Sequence, residues 1–282
     1  MAGDYWGKVR ENAAISREIY RMTLDLPEIA AAARPGQFVM MTVSGDEAQD
    51  PFLRRPFSVS GMDAAAGTVS VHYRAVGRGT RAMARKAPGD SLRVMGPLGR
   101  GFWWDRGLRR AALVGGGVGI APLLPLARAL TADGIQVGAF LGAQNKAGLF
   151  GADVLEAAGC RTYAATDDGS GGYKGLVTEL LLKVADAQGF FDSGAGDVSV
   201  CGSQGGGSVF ACGPAPMLRV LTEICGVRRM PCQISMEERM ACGLGVCMGC
   251  AVSAAGADGV VRRARVCGDG PVLDGAEVRW DG

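Results

Sequence analysis

The chain has 282 residues, and its 30 basic and 28 acidic residues leave a formal net charge of +2 with no long run of either sign, which excludes the electrostatic footprint of a nucleic-acid or anionic-membrane binder and points to small molecules or proteins as partners. No stretch of about 18 uncharged apolar residues suggests a membrane span, and Met1 to Ala14 carry no basic start followed by an apolar run, so the expected location is cytoplasmic. Nine cysteines, an odd number, favour metal or redox chemistry over a complete disulfide framework.

Residues 1–105 read as short strands. Trp6 to Ala14, Arg17 to Asp25, Gln37 to Val43, Phe57 to Ser60, Thr68 to Arg74 and Ser91 to Met95 are strand-like, broken by Pro35-Gly36, Gly61, Gly67 and Pro88-Gly89-Asp90. Six strands at this spacing suggest a small antiparallel β-barrel, interrupted by one helix from about Thr80 to Lys86. Arg55-Pro56-Phe57-Ser58 stands at a strand entrance. There an arginine offers a planar fork to a pyrophosphate and a serine a hydrogen bond to a flavin edge or a phosphate, although an Arg-Pro step before a strand also arises by chance. In the strand Thr68 to Arg74 the two-residue period sends Val69, Val71 and Tyr73 to one face and Ser70, His72 and Arg74 to the other. His72, the single histidine, reads from the sequence alone as a satisfied surface or core residue. Gly77-Arg78-Gly79-Thr80 then opens the helix and sets backbone donors where a phosphate is stabilised.

Within residues 106–228, strands alternate with helices, the pattern of a parallel sheet with crossover helices. Ala111 to Val114, Ile135 to Leu141, Arg161 to Ala165 and Ser208 to Ala211 are the strands. Helices are expected around Leu149 to Ala157, Leu176 to Ala187 and Ala215 to Ile224. Gly115-Gly116-Gly117-Val118-Gly119 turns the first strand into a helix beginning near Ala121-Pro122, where a proline suits the first turn. The turn is neither G-x-G-x-x-G nor a P-loop. It would nevertheless bring a helix N-terminus against a nucleotide pyrophosphate, with Gly116 and Gly117 as candidate contacts; a tight turn without a ligand is the alternative. Cys212-Gly213-Pro214 ends the last strand, so the Cys212 thiol should project toward the same crevice unless it is buried and inert, the reading preferred for Cys160, Cys201, Cys225 and Cys232. No ribose-reading acid or phosphate-binding arginine follows the Gly115 turn at the expected distance, which leaves NAD and NADP both open. Phe190 to Ser208, rich in glycine and serine, reads as a mobile surface insertion.

Residues 229–282 are too few for an independent core, and a metal is the natural staple for so small a unit. Cys242, Cys247, Cys250 and Cys267 have the C-x4-C-x2-C…C spacing of plant-type [2Fe-2S] ligation. Four thiolates serve two irons, two per iron, and the intervening glycines let the backbone wrap and aim N–H groups at sulfur. A structural zinc normally joins two short knuckles, whereas here the second half offers Cys267 alone; zinc and unrelated buried thiols are the alternatives.

The order of these motifs resembles the ferredoxin reductase superfamily. With Pro35-Gly-Gln-Phe38, Thr166-Asp-Asp-Gly-Ser170 and Val266-Cys-Gly-Asp-Gly-Pro271, the chain resembles dihydroorotate dehydrogenase B electron-transfer subunits over nearly its whole length. The resemblance implies an FAD-binding barrel over 1–105, an NAD-binding α/β domain over 106–228 and a [2Fe-2S] unit over 229–282. By motif it carries FAD contacts onto Arg55, Pro56, Phe57, Ser58, His72, Tyr73, Arg74, Gly79 and Thr80, with Phe57 standing where the wider superfamily commonly has tyrosine. It implies electron transfer between NAD(H), FAD and the cluster in pyrimidine synthesis. It also implies a catalytic FMN-containing dihydroorotate dehydrogenase partner in a heterotetramer; no catalytic side chain is assigned in this chain. Related readings are the flavin and iron-sulfur subunit of a ferredoxin:NADP oxidoreductase or a hydrogenase and, from another class, a non-enzymatic zinc-stapled nucleotide sensor.

Overall fold

The computed structural model describes residues 2–16, 18–43, 51–187, 207–256 and 258–280. Of the expected insertion from Phe190 to Ser208, residues 190–206 lie outside the described residues, while Gly207 and Ser208 already belong to a strand. Among the described residues no helix is long and apolar enough to cross a membrane.

Six strands, β1 (Gly3–Ala14), β2 (Ile19–Asp25), β3 (Phe38–Met41), β4 (Arg55–Asp63), β5 (Thr68–Arg74) and β6 (Ser91–Leu98), close a barrel in the order β1-β2-β5-β4-β3-β6. Every pairing is antiparallel. Alternation fills the barrel: Val69, Val71 and Tyr73 of β5 are buried, as are Met22 and Leu24 of β2 opposite them. The helix α1 (Pro27–Ala32) adds Ile29 and Ala30 to this core, and α2 (Arg78–Ala84) adds Met83. Sequence pattern does not reveal α1, since six residues between strands are too few to show a helical period. Pro27 in its first turn is the one local signal.

The second sheet takes β7 (Arg110–Gly116), β8 (Gln136–Ala143), β9 (Arg161–Thr166), β10 (Tyr173–Lys174), β11 (Gly207–Cys212) and β12 (Cys232–Ser235) in parallel. Its crossovers carry α3 (Leu123–Ala132), α4 (Ala152–Ala157), α5 (Val177–Ala187) and α6 (Ala215–Val227). In β7 the apolar run is buried on both faces, as a central parallel strand requires. Ala111 and Leu113 meet Leu123 and Leu126 of α3 on one side, while Ala112 and Val114 meet Leu181 of α5 and Leu221 of α6 on the other. The helix after β7 starts at Leu123, next to the expected Ala121-Pro122, and a separate short turn precedes it. Gly117–Ile120 form a 3-10 turn and Pro122 is the N-cap of α3, because Gly117 adopts a left-handed φ of +56° that a continuous right-handed helix cannot contain.

The C-terminal segment forms a hairpin of β13 (Ala251–Ala255) and β14 (Val261–Arg265), then β15 (Val272–Asp274). β15 pairs antiparallel with β12 and completes the sheet order β10-β9-β8-β7-β11-β12-β15. The segment therefore has no core of its own: Cys250, Val266, Cys267 and Val278 belong to the same apolar cluster as Leu218 and Leu221 of α6.

Candidate functional site

A cleft of about 1000 Å³ opens over the C-terminal ends of β7, β8, β9 and β11, where open α/β sheets bind ligands. Gly116 and Gly117 both line it. A β-carbon at Gly116 would lie 2.7 Å from Met217 Sδ, whereas one at Gly117 would meet nothing within 4 Å. The first glycine thus keeps the β11–α6 turn close and the second leaves bare backbone facing the cleft. Beneath them a β-carbon at Gly119 would run into the carbonyl of Cys212. Gln144 and Asn145 after β8 and Asp167 after β9 line the far end. Asp167 belongs to the Thr166-Asp-Asp-Gly-Ser170 stretch but gets no role from the sequence, because a ribose-reading acid is expected near the end of the second strand, whereas the cleft continues across β8 to β9. The barrel closes the near side with Glu18 and Arg74, which pair at 2.9 Å.

A second cleft, about 440 Å³, lies against the barrel and is lined by Pro56, Phe57, Ser58, His72, Tyr73, Arg74 and Thr80. Strand alternation explains what each can offer. Tyr73 points inward, stacks on Tyr20 and donates its hydroxyl to Asn12 Oδ1 at 2.9 Å, so its backbone is what it presents to a ligand. Burial pushes its phenol up to about 12. His72 points outward, with Nδ1 2.7 Å from Ser60 Oγ and its ring stacked on Phe150 of the α/β domain at 5.0 Å. Loss of water, helped by the Arg21 charge, lowers its pKa to about 4, so it is neutral at pH 7. Thr80 Oγ1 accepts from the Val76 and Gly77 amides at 3.1 Å each and so fixes the entry to α2. Two expected contacts are not in the lining. Gly79 is buried, with Val43 and Pro51 filling the space a side chain would need. Arg55 turns its Nη1 back to the carbonyls of Leu53 at 2.6 Å and Arg54 at 3.3 Å.

The two clefts share a wall made of Arg74, Val118 and Glu237. Glu237 and the residues after it, Glu238, Arg239 and Met240, line the barrel cleft, although they come from the segment leading to the cysteines. No periodicity or motif marks them, and only the pairing of β12 with β11 brings them there. Glu237 is open to the clefts but walled by protein elsewhere, and that loss of water raises its carboxyl above the usual range. Cys212, expected to project into the crevice, does not: it is fully buried, and Gly213 and Pro214 line the cleft instead. Burial, with Glu237 nearby, pushes its thiol far up, while a bond with Ser235 partly opposes this, so it is no nucleophile at neutral pH.

The four C-terminal cysteines are all free thiols and fall into two pairs. Cys242 and Cys247 lie on the outer side, the second exposed, and Cys250 and Cys267 are buried. Cys242 and Cys247 are in hydrogen-bond contact, and so are Cys250 and Cys267. Amides point at the sulfurs: Leu244 N–H at Cys242 Sγ (3.4 Å), Gly245 N–H at Cys267 Sγ (3.1 Å) and Cys267 N–H at Cys250 Sγ (3.4 Å). The Cys247, Leu244 and Val246 amides hold Cys242 down to about 6, whereas burial and the neighbouring Cys250 sulfur push Cys267 up to about 12. Among the described residues no three His, Cys, Asp or Glu side chains gather around one point as a single ion needs. Two thiol pairs with amide donors instead suit two irons sharing four thiolates. Arg265 clamps the arrangement, donating to the Gly245 carbonyl at 3.0 Å and pairing with Asp269 through Nε and Nη2 at 2.9 Å.

Comparison with known proteins divides the chain in the same order. Residues 7–103 match the oxidoreductase FAD-binding domain, 113–223 the oxidoreductase NAD-binding domain and 237–279 the iron-sulfur cluster binding domain of dihydroorotate dehydrogenase B. The chain is 39% identical over 273 residues, 96% of each chain, to the electron transfer subunit of dihydroorotate dehydrogenase B (NAD(+)) from Bacillus caldolyticus. It is 34% identical over 281 residues, 100% of each, to the subunit of that name from Desulforamulus reducens. Among solved structures, that of an NADH-dependent reduced ferredoxin-NADP oxidoreductase superposes with a TM-score of 0.80 at 28% identity, covering 99% of this chain and 92% of the other. A ferredoxin NADP+ reductase from Neisseria gonorrhoeae, TM-score 0.61 at 18% identity over 80% of this chain and 91% of that one, shares the fold.

Proposed function

Since the chain belongs to the family of electron transfer subunits of dihydroorotate dehydrogenase B (NAD(+)), we propose that it carries electrons between a partner's dihydroorotate chemistry and NAD(H) by way of FAD and a [2Fe-2S] cluster, in pyrimidine synthesis. The observation that carries this reading is the shared wall: one cleft suits a dinucleotide, the other a flavin, and the segment leaving their junction runs directly to the cysteine loop. A nicotinamide exchanges two electrons as a hydride, a cluster takes one at a time, and a flavin does both, so the flavin belongs in the middle.

In this reading Cys242, Cys247, Cys250 and Cys267 hold the cluster, two per iron. Pro56, Phe57, Ser58, His72, Arg74 and Thr80 contact FAD directly and Tyr73 does so through its backbone. Arg55 leaves its loop carbonyls to meet the pyrophosphate, and Gly79 lets the α2 entry pack close. Gly116 and Gly117 receive the dinucleotide pyrophosphate. Asp167 accepts from the adenosine ribose hydroxyls and would repel a 2′-phosphate, which favours NAD. The division into 1–105, 106–228 and 229–282 follows these three ligands. The partner is a catalytic FMN subunit, assembled with this chain as a heterotetramer in the cytoplasm, and the exposed Cys242–Cys247 side of the loop faces it.

The test follows NADH formation from dihydroorotate with each purified subunit alone and with both, after flavin and cluster absorbance has been recorded. The chain alone should reduce artificial dyes with NADH and form no NADH from dihydroorotate; the mixture should. A mixture that stays inactive with both flavins and the cluster in place would move the assignment to a ferredoxin-coupled oxidoreductase. Absence of flavin and cluster bands would favour a zinc-stapled nucleotide binder.

A further inference from the structure

Of the three residues that line both clefts, Val118 is apolar and Arg74 offers a guanidinium that donates hydrogen bonds and accepts none. Glu237 is the carboxylate among them, placed at the junction where it borders both clefts. Its surroundings suit proton exchange. The charged and titratable groups that line the clefts with it are His72, Tyr73 and Arg74 on β5, the last paired with Glu18, Asp167 after β9, and its chain neighbours Glu238 and Arg239, and the buried Cys212 thiol at the end of β11 lies near it. Desolvation raises its carboxyl above the ordinary glutamate value, and a positioned carboxyl is a common general acid–base group. The chain needs such a group for a reason of stoichiometry.

We propose that Glu237 is the proton-exchanging residue at the junction of the two clefts, taking a proton from the reduced flavin as its electrons leave for the cluster and returning one when they come back. The inference rests on the reading of the barrel cleft as a flavin site. A hydride from NADH breaks the nicotinamide C4–H bond and forms an N–H bond at flavin N5, so NAD+ departs and the flavin gains two electrons and one hydrogen nucleus. The cluster accepts the two electrons singly and no proton. The N5 proton must therefore go to a base, and the Glu237 carboxylate takes it and passes it to water in the cleft. In the opposite direction two electrons arrive from the cluster, the carboxylic acid supplies the N5 proton, and the hydride then leaves for NAD+.

The test uses the purified chain loaded with FAD and cluster, whose visible bands must be present in the parent; their absence would refute the flavin reading itself and is seen before any variant is made. Glu237→Gln is compared with the parent by the pH dependence of the flavin midpoint potential and by rapid mixing with NADH in H2O and D2O. Positioned proton transfer typically contributes about 10²–10⁴-fold. Flavin reduction by NADH should therefore change by less than about threefold, while passage of electrons onward to the cluster slows about a hundredfold and loses its solvent isotope effect. The break in potential against pH caused by the carboxyl should vanish in Glu237→Gln and return, displaced, in Glu237→Asp. An unchanged potential profile and isotope effect in Glu237→Gln would overturn the proposal. So would a variant whose chief defect is loss of FAD or NADH affinity, which would make Glu237 a binding contact.

Discussion

In the barrel, residues offered to a ligand stand on strands whose inward side chains are already packed: His72 and Arg74 alternate with Val71 and Tyr73, Phe57 and Tyr73 belong to the core itself, and Tyr73 is fixed further by Asn12. The loop from Cys242 to Cys250 contains no regular element; amides meet its Cys242 and Cys250 thiols, its Gly245 amide meets the Cys267 thiol, and Arg265 clamps the Gly245 carbonyl. The barrel's order thus comes from its own packing, whereas the loop takes much of its order from what it binds, as small metal-stapled units do. A ligand is a guest in one region and part of the framework in the other.

That contrast is broken or sharpened most strongly by Cys247→Ser. Removing one thiolate of the outer pair should abolish cluster iron and its colour while FAD remains at one per chain; iron and flavin are measured on the same sample, and undiminished iron would remove Cys247 from the ligand set. Arg55→Ala is the counterpart in the barrel. A charge-assisted contact is worth about 1.5–3 kcal/mol, so FAD affinity should fall roughly tenfold to a hundredfold with iron content untouched. Equal flavin retention through extensive dialysis would mean that Arg55 stays on its loop carbonyls. Gly119→Ala addresses the floor between the clefts. Its methyl group cannot coexist with the Cys212 carbonyl, and overpacking of this kind costs about 1–3 kcal/mol, which should lower Tm by roughly 2–10 °C.

The smallest effect is confined to acid. His72 has its folded pKa depressed to about 4 from 6.5. The fold prefers the neutral ring, and the associated stability is present above pH 6.5 and lost as pH falls through 4. Thermal melts from pH 7 to 4 should show a loss of a few degrees that is missing in His72→Phe, which keeps a ring against Phe150 and carries no proton. Superimposable curves would remove His72 from the acid response.

Much of this architecture is legible in the amino-acid sequence. β5 declares both its faces through alternation, the unbroken apolar run of β7 declares a central parallel strand, and the cysteine spacing points to the ligand set. What stays hidden has a common cause. β12 and β15 are four and three residues long, too short for a period to register, and their partners lie elsewhere in the chain. Glu237 reaches the barrel cleft only because those strands pair. The same is true of Cys212, whose place at the end of β11 suggests a thiol facing the crevice. The register that brings Ser235 beside it and Gly119 over its carbonyl puts it under the floor.

The pairing of β12 with β11 and β15 also bears on how such a molecule can be rebuilt. A cluster module cut at Cys242 and moved to another reductase would carry β15 away from its partner β12, and the sheet left behind would expose the edge of β12, whose unpaired amides and carbonyls invite association with other chains. The workable seam for a graft lies before Cys232, so that the module travels with the two strands that seal the sheet and with the carboxylate that borders both clefts.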